Sequence, residues 1–134
     1  MHSITGKYMG SLRTELHHIK SNNRIITDAP TDNNGKGEAF SPTDLLCASL
    51  ASCMITIAGI AAQTHGFNID GVNWEIIKIM GVNPRRVVEI GIKFNFPKNN
   101  YSEKEMEIIK QAALNCPVAK SLSPEIKQIV EFVF

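Results

Sequence analysis

The N-terminal third of the chain alternates polar and apolar positions with a period of two, the pattern of half-buried strands. Three such segments lie at residues 3–9, 11–19 and 23–27. Gly10 and the SNN sequence at 21–23 separate them and supply turn residues. The pattern therefore predicts an antiparallel meander of three strands.

A long polar loop then leads into a long apolar helix. Residues 28–41, DAPTDNNGKGEAFS, are rich in turn formers and predict an exposed loop, long enough to suggest a function. Ser41 is expected to cap the helix, Pro42 suits its first position, and Asp44 completes a capping box. Gly66 is expected to end it. Because its apolar residues face every direction, we expect burial nearly all round, with help from a partner subunit.

The second half of the chain repeats the change from strands to helix. The elements in order are strands at 71–80 and 87–96, a helix from Ser102 to about Asn115, a short turn at 117–122 and a strand at 126–134. The order β-β-β-α-β-β-α-β predicts an α+β fold, with a mainly antiparallel sheet around or against the long central helix. With neither repeat nor linker, residues 1–134 are expected to form a single domain.

Composition narrows the class of protein. Hydrophobic residues make up 43% of the chain and charged residues 20%, as in soluble globular proteins. A formal net charge of +1 predicts neither nucleic acid nor an anionic membrane as a partner. The polar opening MHSITGKYMG lacks a signal-peptide pattern, and small polar residues interrupt the apolar segment 45–62, so we expect a cytoplasmic protein with a core helix rather than a membrane span.

The cysteines are the candidate reactive groups, and in such a compartment they are expected to be free thiols. Cys116 precedes Pro117 and is expected to cap a new helical turn, a placement that lowers a thiol pKa. A thiol that merely fills space there is an equal alternative. Cys53, in the apolar stretch ASCMITIAGIAA, reads on local sequence as a small buried hydrophobe. Cys47 points about 120° away from it on a helix and is expected to be structural.

The sequence gives little support for a metal site or a phosphate-binding site. The histidines, His2, His17, His18 and His65, lack the spacing of zinc ligands. The glycine-containing GKGEAF lacks the phosphate-binding Walker pattern. We therefore expect neither a metal nor a cofactor.

Two cysteine motifs together resemble a known family. The pattern SPTDLLCASLASCM, followed about sixty residues later by NCPVAKSL, is similar to the OsmC/Ohr family of thiol peroxidases. The resemblance extends over nearly the whole chain, including the strand order and the GFNIDGVNWEI passage. It implies an intertwined homodimer that buries two central helices, a role in the oxidative stress response, and a preference for organic hydroperoxides.

The resemblance also assigns roles to residues. Cys53 is similar to the peroxidatic cysteine, which forms a sulfenic acid, and Cys116 to the resolving cysteine, which condenses with it to a disulfide. An external dithiol, such as a lipoyl-type reductant, would reset the pair. Phe40, Met54 and Ile57 would line the apolar substrate pocket.

The family also uses an arginine, held by a glutamate near the helix start, to stabilise the thiolate. Thr43 occupies that glutamate position here, with Asp44 next to it and Glu38 upstream in the loop. Arg24 is the first candidate for the arginine and Arg13 the second. An alternative from another class is a non-catalytic or redox-sensing dimer that binds a small apolar ligand in the same pocket.

Overall fold

The structure, a computed structural model, describes residues 1–97 and 100–134. They divide into two compact units, Met1–Leu46 and Cys47–Phe134, and each contains one three-stranded sheet. The predicted α+β class is confirmed, with two sheets in the chain. A single domain over residues 1–134 stays a prediction.

The first unit contains the expected meander. Its strands are β1 (Ile4–Gly10), β2 (Arg13–His18) and β3 (Asn23–Asp28), paired antiparallel in the order β1-β2-β3. Neighbouring residues in a strand point to opposite sides, so the register separates a face with several apolar side chains from a face that carries Lys7, Glu15, Arg13 and Arg24. The apolar face carries Ile4, Tyr8, Leu16 and Ile25.

Asp28 corrects the predicted boundaries of the loop. The sequence placed it in an exposed loop, whereas it is the last residue of β3 and only 2% exposed. Its backbone N–H donates to the Phe40 carbonyl at 3.0 Å, and the Glu38 N–H donates to its carboxylate at 3.1 Å. The loop, which contains a short 3-10 helix at Thr31–Asn33, thus folds back onto the end of the strand.

The remaining elements follow the predicted order with one addition. They are α1 (Pro42–Thr64), β4 (Asn73–Gly81), β5 (Arg86–Asn95), α2 (Glu103–Leu114), α3 (Pro117–Ser121) and β6 (Lys127–Val133). The short turn expected at 117–122 is the short helix α3, which begins at Pro117 as the sequence predicted. β4 and β5 pair antiparallel, whereas β5 and β6 pair parallel. The helical crossover between them provides the long connection that a parallel pair needs.

α1 is buried along one face rather than all round. Its buried residues are Cys47, Leu50, Ala51, Met54, Ala58 and Ala62. The opposite face is exposed and carries Ser49, Ser52, Thr56, Ile60 and Gln63. In the single chain α1 is therefore not buried all round, and its burial with the help of a partner subunit stays a prediction. By length and composition the helix could cross a membrane, but core helices of soluble proteins meet the same criterion.

α2 packs its apolar stripe into the core of the second unit. Ile109 and Ala113 are fully buried, as are Ile90 and Phe94 of β5. The predicted capping box is confirmed, because the Ser102 hydroxyl accepts from the Glu105 N–H at 3.1 Å and the Glu105 carboxylate accepts from the Ser102 N–H at 2.9 Å. This box fixes where α2 starts and hence where the chain reaches Cys116.

Candidate redox site

The second unit brings the two nominated thiols together. Cys53 lies in the middle of α1 and is half-buried, whereas Cys116 is fully buried just before α3. The Cys116 thiol hydrogen-bonds to Cys53. As predicted, Cys116 is the N-cap of α3, and its Sγ accepts from the Ala119 N–H at 3.4 Å. Two free thiols that interact in this way are a candidate pair for a reversible disulfide.

The pKa of Cys116 departs from the expectation of a lowered value. Burial is the largest effect and raises the pKa, because a thiolate loses its hydration there. The N–H groups of Ala119 and Val118 act in the expected opposite direction but do not outweigh burial. The hydrogen bond to Cys53 and its negative charge raise the pKa further. Burial therefore favours the protonated form of Cys116.

The apolar candidates occupy different environments. Ile57 lies one turn after Cys53 on α1 and is half-buried, so it lies on the same side of the helix. Met54 is fully buried and packs within the core. Phe40, in the first unit, is 57% exposed. Cys47 is 2% exposed, and its structural role stays a prediction.

Arg13 forms the strongest charged cluster of the first unit. Its Nε and Nη2 donate to the two carboxylate oxygens of Asp28 at 2.7 and 2.8 Å, and Glu38 Oε1 lies 3.5 Å from Nη2. The hydrogen bond from Arg13 lowers the pKa of Asp28 against the opposing effect of burial. Asp28 in turn raises the pKa of Arg13.

Sequence reasoning did not nominate Asp28. The available signal was its position directly opposite Arg13 in the antiparallel register of β2 and β3. The pairing of these two residues can be predicted only when the ends of both strands are known. The predicted loop began at Asp28 itself, one residue too early, and so left Asp28 out of the strand.

The other charged candidates have separate partners. Arg24 pairs with Glu15 at 3.0 Å, and its side chain is 54% exposed. The Asp44 carboxylate accepts from the Ser41 N–H at 3.0 Å, while the Ser41 hydroxyl accepts from the Asp44 N–H at 3.0 Å. This reciprocal pair confirms the predicted capping box at the start of α1. A catalytic role for Arg24, Asp44 or Glu38 stays a prediction.

The fold and this site define a class: α+β proteins in which a thiol on a long helix meets a second thiol at the N-cap of a short one. Residues 35–131 match the family described as OsmC-like protein, and the chain belongs to that family. Among curated proteins, none matches the chain. Within residues 1–97 and 100–134, no cluster of three His, Cys, Asp or Glu side chains could hold a metal ion.

Solved structures support the family and its fold. A protein of Psychrobacter arcticus, provisionally assigned to osmotic stress and detoxification, is 51% identical, with a TM-score of 0.94 over 98% of this chain and 96% of its own. An organic hydroperoxide resistance protein OsmC of Legionella pneumophila is 14% identical, with a TM-score of 0.73 over 100% and 98%. An OsmC-like protein of Mycoplasma pneumoniae is 20% identical, with a TM-score of 0.75 over 100% and 98%. The latter two likenesses concern the fold alone.

Proposed function

We propose that the protein is a thiol-dependent peroxidase that reduces organic hydroperoxides. The observation that carries the proposal is the hydrogen-bonded pair of Cys53 and Cys116, in which the half-buried thiol is the one a substrate reaches. Membership of the OsmC-like family supports it, since a member of the same fold is named for organic hydroperoxide resistance. Ile57 beside Cys53 offers an apolar contact for an organic substituent.

Cys53 performs the first step. Its thiolate attacks the terminal oxygen of the hydroperoxide, the S–O bond forms and the O–O bond breaks. The alkoxide leaves with the electron pair of that bond and takes up a proton to become the alcohol. The sulfur is oxidised by two electrons to a sulfenic acid, and the hydroperoxide is reduced by two.

Cys116 performs the second step. Its sulfur attacks the Cys53 sulfur, the S–S bond forms, and hydroxide leaves with the former thiol proton as water. The N–H groups of Ala119 and Val118 stabilise the attacking thiolate, since both favour the charged form. An external dithiol, such as a lipoyl-type reductant, then reduces the disulfide by two thiol–disulfide exchanges. This cycle suits a reducing, cytoplasmic compartment.

We further infer that the working unit is a homodimer. The apolar face of the first sheet leaves Ile4 61%, Tyr8 63% and Ile25 44% exposed in the single chain. The exposed face of α1 carries mainly small side chains, including Ser52 and Thr56, which permit close approach of a second helix. A second copy of the chain would bury both faces.

Hydroperoxide consumption by variants tests the proposed reaction. Wild-type protein is expected to consume cumene hydroperoxide in the presence of a dithiol, and Cys53→Ser to abolish this. Cys116→Ser should still react once but accumulate sulfenic acid, detectable as an adduct with dimedone. Cys47→Ser serves as the matched control and should retain activity. Equal turnover by wild type and Cys53→Ser would overturn the proposal and favour a ligand-binding protein with unreactive thiols.

A further inference from the structure

A side chain of the sheet holds the short helix that carries Cys116. Gln128 lies on β6, and its Nε2 donates a hydrogen bond to the Ala119 carbonyl at 3.2 Å. The N–H of the same Ala119 donates to the Cys116 Sγ at 3.4 Å. Gln128 is thus connected to the resolving sulfur through a single residue of α3.

α3 cannot fix its own position. It contains five residues, whereas isolated helices shorter than about 12 residues are marginal in water. Its internal bonds, such as that from the Lys120 N–H to the Cys116 carbonyl at 3.1 Å, shape the turn but do not anchor it to the sheet.

β6, by contrast, is held in place by its pairing in the sheet. It pairs with β5 over seven positions, and Gln128 lies directly opposite the fully buried Ile90. A hydrogen bond from this strand therefore gives α3 a fixed reference. This hydrogen bond is part-buried, and a buried carbonyl that loses its donor destabilises the fold unless another donor replaces it.

We propose that Gln128 is a positioning residue that controls how fast the Cys53 sulfenic acid is resolved by Cys116; this rests on the proposed peroxidase function. By holding Ala119, Gln128 keeps the N-terminal N–H groups of α3 aimed at the Cys116 sulfur. It also keeps that sulfur beside Cys53. The first oxidation takes place at the Cys53 sulfur on α1, and its rate should depend on Gln128 much less than the rate of resolution does.

A second reaction competes with resolution and reports on it. The sulfenate of Cys53 can attack another hydroperoxide, so that a second S–O bond forms, the O–O bond breaks and alkoxide leaves. The product is a sulfinic acid, which a dithiol does not reduce. Slower resolution therefore raises the fraction of protein lost to the sulfinic state at a given hydroperoxide concentration.

The test uses Gln128→Met, which removes the donor while keeping the length of the side chain. Gln111→Met is the matched control, because Gln111 bonds to Glu107 on the exposed side of α2. Mass spectrometry after titration with cumene hydroperoxide separates the disulfide, a loss of two hydrogens, from the sulfinic acid, a gain of two oxygens. For Gln128→Met we expect half-conversion to sulfinic acid at a roughly fivefold lower hydroperoxide concentration, the scale of one lost hydrogen bond.

The rate of the first oxidation, measured on the same samples, controls for folding. An unchanged first rate with a shifted partition supports the proposal, and Gln128→Glu, whose carboxylate repels the Ala119 carbonyl, should shift it at least as far. An equal partition in wild type, Gln128→Met and Gln111→Met would overturn it while leaving the peroxidase function intact. A first rate that falls in parallel with resolution would also overturn it, as a general structural effect. Wild-type protein that forms no sulfenic acid would overturn the peroxidase function itself.

Discussion

Arg13 and Asp28 are joined by two parallel hydrogen bonds, of 2.7 and 2.8 Å, at the end of the first sheet. The geometry is the bidentate one that makes arginine–carboxylate pairs both strong and directional. Asp28 is 2% exposed and also accepts the Glu38 N–H, so the pair ties the strand end to the loop that precedes α1.

Replacing Asp28 should destabilise the protein and change its response to acid. Because Arg13 lowers the pKa of Asp28 in the folded state, the carboxylate contributes stability at pH values above its unfolded pKa of about 4. That contribution is lost as pH falls through the lower folded value. We expect Asp28→Asn to unfold at lower urea concentration at pH 7, and its stability to vary less than that of wild type below pH 4.

Glu15→Gln is the matched control for this prediction. It removes the ion pair with Arg24, whose side chain is 54% exposed, and exposed pairs contribute little. Urea midpoints of wild type and Glu15→Gln should nearly coincide at pH 7. A loss of stability as large as that of Asp28→Asn would show that burial does not distinguish the two pairs.

The raised pKa of Cys116 predicts the pH dependence of resolution. The attacking form is the thiolate, and burial reduces its population below that of a free thiol. The rate of disulfide formation from the Cys53 sulfenic acid should therefore still rise with pH above about 8.5, the ordinary thiol pKa. Stopped-flow measurements of single turnovers give this rate, with Cys116→Ser as the blank. A plateau below pH 8 would contradict a raised pKa.

The raised pKa of Cys116 also affects how the stability of the folded protein depends on pH. A buried neutral thiol with a raised pKa contributes stability that is complete below its unfolded pKa of about 8.5 and is lost as pH rises through the folded value. Cys116→Ala should therefore weaken the alkaline loss of stability seen for wild type. Thermal unfolding between pH 8 and 11 measures this, with Cys47→Ala as the control for a second buried thiol.

We propose that the reaction depends on Arg13 rather than on Arg24, which the sequence prediction placed first. Arg13 is held by a buried carboxylate in fixed geometry, whereas Arg24 pairs with Glu15 at an exposed position. We expect Arg13→Met to lower the rate of hydroperoxide reduction by at least tenfold and Arg24→Met to leave it within about twofold. The first-turnover rate is the measurement, since it isolates the reaction of Cys53. The reverse order would restore Arg24 as the candidate.

Periodicity and capping signals were sufficient to predict most of the fold. The alternating strands and the reciprocal bonds of Ser41 with Asp44 are local features, determined by neighbouring residues, and the structure contains them. The parallel pairing of β5 with β6 is not local, because it depends on how the helical crossover returns to the sheet. The start of α3 was predicted from Pro117 after a capping residue, whereas its length was not, because its five residues carry only the start signal.

The same distinction between local and long-range features applies to the candidate site. The N-cap position of Cys116 was readable from Pro117, and the structure confirms it. The direction of its pKa shift was not, because burial depends on residues distant in sequence. The partners Asp28 and Gln128 were not readable either, since each becomes a neighbour only through strand register or the return of the chain.

The exposed face of α1 provides the test of the homodimer. Thr56 is exposed there and lies opposite the buried stripe, so the single chain can accommodate a larger residue at this position. A bulky charge would appear twice where two copies of the helix meet, and Thr56→Arg should therefore shift the protein from dimer to monomer in light scattering. Gln111→Arg, which adds the same charge to the exposed side of α2, should leave the dimer intact. If both variants and wild type share one mass, α1 does not form the interface, whatever the oligomeric state.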